Sequence, residues 1–534
     1  MFNLINQAWI PVIRKDGERS MVVPWELTSD YQENPIVELD APRPDFNGAL
    51  VQFLIGIVQT ELPPTNPVAW KRMFRRPPRP EDLKKLFSTH IDAFNLDGDG
   101  PRFMQDLTLA KGEALAIDKL LIERPGEQTI KKNIDHFLKR GGIDNLCMTC
   151  ASMALFTLQT NAPSGGRGHR TSLRGGGPLT TLVSGRTLWE TVWLNVISPQ
   201  ELERYGNSAL TDAADIFPWM GETRTSNNNE ITTPHDVNPA QMFWGMPRRI
   251  RLDLDEEAGQ GECDLCGKTT EKLVSAFCAK DGGVNYKGGW CHTLSPYSTN
   301  PKGELLAKHA QPGGVTYRNW LGLVQNDSQN SSRPAAVVAL FREQRQPGLN
   351  GFQPHLWAFG YDMDNMKARC WYDGKMPLHH IDEGLLPAYE EEIAHLVRTA
   401  SLVGFSVRTS IKKALFSRPE DASGDLSFID ARFWQDTEPV FHKTLNELAT
   451  LLKEEGDRTA LKLDWLKSLS DEGERLFDAY SQANQIDQVN PKRIALARRD
   501  LRRYTSQFNK KIRETLDLPI ALNSDKTAIR DTGV

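Results

Sequence analysis

The sequence predicts an α+β protein, with a loop-rich, mixed α/β N-terminal domain over residues 1–375 followed by a C-terminal four-helix bundle over 385–520. Three observations lead there. At 534 residues the chain is too long for one hydrophobic core and suits two or three domains. Up to about residue 375 the apolar runs are short and interrupted by Gly and Pro, as strands and irregular connections require. Beyond about residue 385, apolar residues recur at three- and four-residue steps through four long segments.

Near the start, Trp9, Ile10, Pro11, Val12 and Ile13 form a strand-like run, and residues 180–183 (TTLV) form another. Between and after them, residues 71–80 (KRMFRRPPRP) and the polar stretch 226–239 look like surface excursions. Four helical patterns follow, at roughly 387–416, 428–456, 461–485 and 490–516. In the first, Ile393, Leu396, Val397, Ala400, Val403, Val407, Ile411 and Ala414 place one apolar stripe toward a core. In the last, Ile494, Ala497, Leu501, Tyr504, Phe508 and Ile512 are expected to do the same. The polar tail from residue 523 is expected to fray.

The formal net charge is −5, so composition gives no global signal for nucleic acid, and any such surface must be local. No stretch approaches the roughly 20 apolar residues that span a bilayer. The opening MFNLINQAWIPVIRKDG shows neither a basic leader nor a small-residue cleavage site, and the expectation is a cytoplasmic chain.

Four of the seven cysteines fall into two Cys-x-x-Cys turns, Cys147 with Cys150 and Cys263 with Cys266. Each turn brings two thiolates onto one cation, and two turns complete a tetrahedral site, so a single zinc ion is predicted. Four thiolates leave no position for water, which makes that zinc structural rather than catalytic. The competing reading, a redox pair, lacks the βαβ context that such a motif needs. Cys278, Cys291 and Cys370 are expected as small buried hydrophobes. The segment 261–269 (GECDLCGKT) resembles a phosphate-binding loop, but five residues separate its glycines where the motif requires four.

Residues 161–177 (NAPSGGRGHRTSLRGGG) combine glycines, which let a backbone approach a ligand closely, with Arg and His donors suited to phosphates or base edges. Composition alone fits a flexible surface loop at least as well. In the last helical segment Lys492, Arg493, Arg498, Arg499, Arg502, Arg503, Lys510, Lys511 and Arg513 face only two acids of that segment, Asp500 and Glu514. Such a face is either solvated or set against a phosphate backbone. There is no His-Glu-x-x-His and no Gly-x-Ser-x-Gly elbow, and Asp362 with Asp364 is a lone Asp-x-Asp, so nothing demands catalysis.

Taken together, these segments resemble the CasA family, the large subunits of type I-E CRISPR Cascade complexes, over essentially the whole chain. The resemblance is carried by the opening NLINQAWIPV, the run from Asn161 through Ser172-Leu-Arg174-Gly175-Gly176, the paired cysteine turns and the C-terminal helices, in that order and spacing. It implies a non-catalytic subunit that recognises a protospacer-adjacent motif in double-stranded DNA, helps open the duplex and recruits a helicase-nuclease. Other Cascade subunits and a CRISPR guide RNA would be its partners, and the guide would read the sequence.

The resemblance also implies DNA-probing elements. The family's glycine loop falls on Ser164, Gly165, Gly166, Arg167 and Gly168, its lysine finger on Lys280 or the neighbouring Asp281, and its wedge on residues 362–368, including Asp364, Asn365, Met366 and Lys367. The loop near the guide's 5′ end corresponds to Phe137. Independently of the resemblance, the charge of the last helical segment leads to the expectation that Arg499, Arg502 and Arg503 touch the DNA backbone. Arg167 stands where the family pattern has glycine, and a guanidinium in a minor groove favours narrow A·T-rich geometry. The rival readings are a metal-dependent nuclease or hydrolase centred on zinc or on Asp362 and Asp364, and a purely architectural zinc protein.

Overall fold

In the computed structural model the described residues are 1–109, 114–124, 142–163, 169–254, 260–346, 349, 351–364, 367–421, 426–482 and 490–519. They form two compact units, one of residues 1–315 and 322–378, the other of residues 316–321 and 379 onward. The architecture is mixed α+β and loop-rich.

The first unit is built around the helix Pro44–Glu61. Proline at its first position and Asp45 in its first turn suit a helix N-terminus, and the chain leaves the helix just before Pro63 and Pro64. Nearly every side is apolar, so the helix is buried all round rather than amphipathic. Its Phe53 meets the rings of Trp9, Phe94, Phe103, Phe156 and Trp244 edge-on at 5.2–6.0 Å. Losing one such ring to Ala typically costs about 3–5 kcal/mol. Gly56 lets Phe243 and Trp244 close on the same helix, since an added Cβ would lie 3.0 Å from Phe243.

Around this core lie short sheets. Strand Ile10–Arg14 pairs antiparallel with Arg19–Val22 on one side and Ile36–Leu39 on the other. A long hairpin, His355–Asp364 with Lys367–Pro377, pairs antiparallel through its first strand with the wholly buried Thr180–Ser184. A third sheet sets Ala276–Lys280 between Leu115–Ala116 and Arg249–Leu252.

Neither sequence-predicted excursion is merely a surface loop. Residues 71–75 end the helix Pro67–Arg75, with Phe74 buried, and Pro80 begins the helix Pro80–Phe87. The stretch 226–239 is tied down by backbone hydrogen bonds from Ser226 to Gly282 (3.0 Å) and from Thr232 to Asn285 (2.9 Å). The cysteine expectation also fails in part, because Cys278 and Cys291 are half-buried and Cys370 is exposed.

The second unit holds helices Leu386–Leu415, Ser427–Lys453, Thr459–Gln482, Pro491–Thr505 and Lys510–Thr515. The first of them packs against each of the others, and its eight predicted stripe residues are all buried. Residues 316–321 join this unit from far upstream. There Tyr317 stacks on Phe441 at 4.3 Å, meets Trp434 edge-on at 4.7 Å and hydrogen-bonds Thr437 at 2.7 Å.

The last helical pattern is broken, contrary to expectation. Ser506 is extended, and the side chain of Asn509 caps a new short helix by accepting from the amides of Lys511 (3.0 Å) and Ile512 (3.3 Å). Ala497, Leu501 and Ile512 are buried, while Tyr504, in the last turn before the break, is 40% exposed and Phe508, within the break, is 75% exposed.

Candidate metal centre and nucleic-acid interface

Cys147 is the N-cap of the helix Met148–Asn161, and its sulfur accepts from the amide of Cys150 at 3.4 Å. The second pair sits on a small hairpin in which the amide of Gly267 donates to Cys263 O (2.9 Å) and the amide of Cys263 to Lys268 O (3.0 Å). Gly267 takes the left-handed φ of 70° that this turn demands. Backbone pairing brings the two turns together, with Leu273–Val274 antiparallel to Leu146–Cys147 and Asp264 accepting from the amides of Asp144 and Asn145 at 2.7 Å each.

All four sulfurs then lie within 4.8 Å of one another, and Cys147 and Cys266 are 3.8 Å apart. That matches the ~3.8 Å edge expected of a tetrahedron with metal–sulfur bonds of about 2.3 Å. Cys147, Cys150 and Cys263 are buried, and the set could hold a metal ion. The protons point the same way. A hydrogen bond from Cys150 favours ionising Cys147, but its hydrogen bond with Cys263 and burial push that thiol up to about 12. Hydrogen bonds to Cys147 and Cys263 push Cys150 up as well, while hydrogen bonds from Cys147 and Cys150 hold Cys263 well below the usual thiol range. Cys147 and Cys150 thus keep their protons without a cation, and a divalent cation at the centre favours the thiolate form of its ligands.

Ser164, Gly165, Gly166, Arg167 and Gly168 lie outside the described residues, but both ends of their segment are described. On the near side, Pro163 O accepts from the guanidinium of Arg248. On the far side, His169 Nε2 lies 3.5 Å from Asp281, and Arg170 Nε donates to Ser226 Oγ at 3.0 Å. Lys280 is the exposed last residue of its strand, opposite Arg249 and next to Asp281. The roots of the glycine-rich segment and the Lys280–Asp281 turn therefore meet. Burial lowers Arg248 to about 10, leaving it charged at neutral pH, and burial with the charge of Arg248 lowers His169. Nothing in the local sequence marks Arg248 or Ser226 as part of this cluster, because its members come from separate stretches of chain.

The tail of the glycine-rich segment reaches the long hairpin. Gly177, at φ 64°, abuts Met363, and an added Cβ would lie 2.6 Å from its methyl group. The hairpin tip is closed by the pair Asp364 and Lys367, while Asn365 and Met366 lie outside the described residues. Asp362 does not form an open carboxylate pair with Asp364. It is buried, and Arg369 donates to both of its oxygens at 2.8 and 3.0 Å while lying 3.6 Å from Asp364. The cation position of a metal-dependent hydrolase is thus filled by a guanidinium. Toward the tip of the hairpin Tyr361 donates to Asp45, which also accepts two hydrogen bonds from Arg43 at 3.0 Å each. Phe137 lies outside the described residues.

The basic last helix is less bare than its own sequence implies. Arg502 forms a bidentate pair with Glu474 (3.0 and 2.6 Å), Arg498 pairs with Asp478, and Arg503 lies 3.6 Å from Asp500. Glu474 and Asp478 belong to the neighbouring helix Thr459–Gln482. Arg499 remains 71% exposed, with Asp500 3.8 Å away. No helix among the described residues is long and apolar enough to cross a membrane.

A family model described as CRISPR-associated protein Cse1 matches residues 3–476. The crystal structure of CasA from Thermus thermophilus is similar over 94% of this chain and 99% of that one, with 18% identity and a TM-score of 0.70. Thermobifida fusca Cse1 is similar over 97% of this chain and 98% of its own, with 17% identity and a TM-score of 0.70. A chain in a structure titled as a CRISPR RNA-guided surveillance complex covers 94% of this chain and 99% of its own, with 17% identity and a TM-score of 0.64. At these identities the likeness establishes a shared fold.

Proposed function

Because this chain belongs to the CRISPR-associated protein Cse1 family, we propose that it is the non-catalytic large subunit of an RNA-guided surveillance complex that recognises a short protospacer-adjacent motif in double-stranded DNA. The subunit helps open the duplex beside the motif and recruits a helicase-nuclease, while guide RNA held with the neighbouring subunits reads the sequence. The observation that carries this reading is the family match over residues 3–476. The meeting of the glycine-rich segment's roots with the Lys280–Asp281 turn supports it.

The chemistry assigns roles. Arg167 and Lys280 donate to base edges or phosphates in a groove, and the hairpin tip from Asp364 to Lys367 fills the space of an unstacking base pair. The Arg369 pairing braces that tip. Phe137 is assigned to the contact with the guide's 5′ end, and Arg499, with Arg502 and Arg503, adds sequence-independent contact to phosphates. Zinc is the ion of the four-cysteine centre, where its role is to staple two distant turns. A nuclease or hydrolase reading is less well supported, since Asp362 is committed to Arg369 and four thiolates leave no coordination position for water.

The test uses the complex obtained by co-expressing the neighbouring open reading frames. Arg167→Ala combined with Lys280→Ala should weaken binding to motif-bearing duplex by about 1–3 kcal/mol for each side chain that reads a base. Binding to a single strand complementary to the guide needs neither motif nor unwinding and should stay within experimental error of the unmodified complex. Equal losses on single- and double-stranded targets would reject motif recognition by these residues.

A further inference from the structure

Arg174, in the glycine-rich segment, does not face solvent. It is 5% exposed and donates to Thr180 Oγ1 (3.0 Å), Ser295 Oγ (3.1 Å) and Gln52 Oε1 (2.7 Å). These acceptors are neutral, and among the described residues no carboxylate pairs with it. The ionisable groups that act on it or feel its charge are Tyr297 and His292. Burial raises Tyr297 and, with the charge of Arg174, holds His292 well below its ordinary value, so both are neutral near pH 7. Burial lowers Arg174 itself only to about 10, so the guanidinium keeps its charge. A buried charge without a counter-charge is strongly disfavoured.

Arg174 also lines a cavity of about 20 Å³, together with Gln52, Ser172, Phe243 and His292 among others. Its size suits one water-sized species and excludes a phosphate or a carboxylic acid. We propose that the cavity binds one small monovalent anion, a halide such as chloride, which neutralises Arg174. The bound anion would fix the turn from Ser172 to Gly175, closed by Ser172 Oγ donating to Gly175 O at 2.6 Å, against the central helix and the strand that carries Thr180. The inference goes beyond the surveillance-complex reading and does not depend on it.

The experiment compares thermal unfolding of the full chain in chloride and in gluconate at constant ionic strength. Chloride should raise the midpoint progressively, by about 2 °C for each tenfold increase above its dissociation constant, and gluconate should not. Arg174→Gln should lose the difference between the two salts. Crystals of the unmodified protein grown in bromide should show an anomalous peak within hydrogen-bond distance of the guanidinium, a readout that survives if the variant fails to fold. Identical midpoints in the two salts, or bromide at the surface with only water beside Arg174, would overturn the proposal.

Discussion

The four-cysteine centre and the basic last helix make an instructive pair. Both stand out in the sequence as clusters of one residue type, yet only the first keeps its local meaning in the fold. A Cys-x-x-Cys turn sets the distance between its two sulfurs within four residues, and tertiary pairing of Leu273–Val274 with Leu146–Cys147 needs only to bring two such turns together. The charges of a helix have no such autonomy. Arg498 and Arg502 find Asp478 and Glu474 on the next helix, so a run of cations with two acids of its own becomes a partly neutralised face. Motifs that close their geometry locally survive folding, whereas motifs defined by net charge depend on whatever packs beside them.

The largest test of this contrast is on the cysteine side. Cys263→Ser should remove the bound metal and destabilise the first unit by about 4 kcal/mol or more, read by elemental analysis together with denaturant unfolding. Full metal occupancy in the variant would dissolve the contrast. On the helix side, Leu501→Ala should cost about 3 kcal/mol, because Leu501 is 1% exposed, whereas Phe508→Ser should stay within about 0.5 kcal/mol. A large cost at Phe508 would restore the unbroken stripe that the sequence suggests.

Charge pairing between helices should also be visible in acid. Burial disfavours ionising Glu392, but His395, 3.6 Å away, and the charges of Lys462 and Arg458, each 2.9 Å away, outweigh it and hold the carboxyl down to about 2. The folded value lies below the unfolded one, so this stabilisation is complete above about pH 4.5 and is lost as pH falls toward 2. Glu392→Gln should remove about 2 kcal/mol of acid-dependent stability from the helical unit in that window. An unaltered acid transition would mean that the network contributes nothing measurable.

The smallest effect concerns DNA. Replacing Arg499, Arg502 and Arg503 together by Ala should reduce the slope of log affinity against log salt by about one rather than about three, because Arg502 is already paired with Glu474 and Arg503 lies near Asp500. A reduction of three would show that phosphates displace those partners. An unchanged slope would mean that the face is solvated or contacts protein.

The sequence by itself determined the mixed class of the chain, the four-sulfur donor set and the core face of the helix Leu386–Leu415, whose eight stripe residues are all buried. Each follows from a spacing rule that acts over a few residues. Tertiary structure alone decided what the polar groups do. Arg174, read as a donor for nucleic acid, turns inward to Gln52, Thr180 and Ser295, and Asp362, read as a metal candidate, is taken by Arg369. Arg248 joins the roots of the glycine-rich segment from 85 positions away, and Tyr317 enters the helical core from 120 positions before Thr437. The physical reason is that apolar periodicity is imposed by the helix itself, whereas a hydrogen bond or ion pair needs a partner whose distance along the chain is unconstrained.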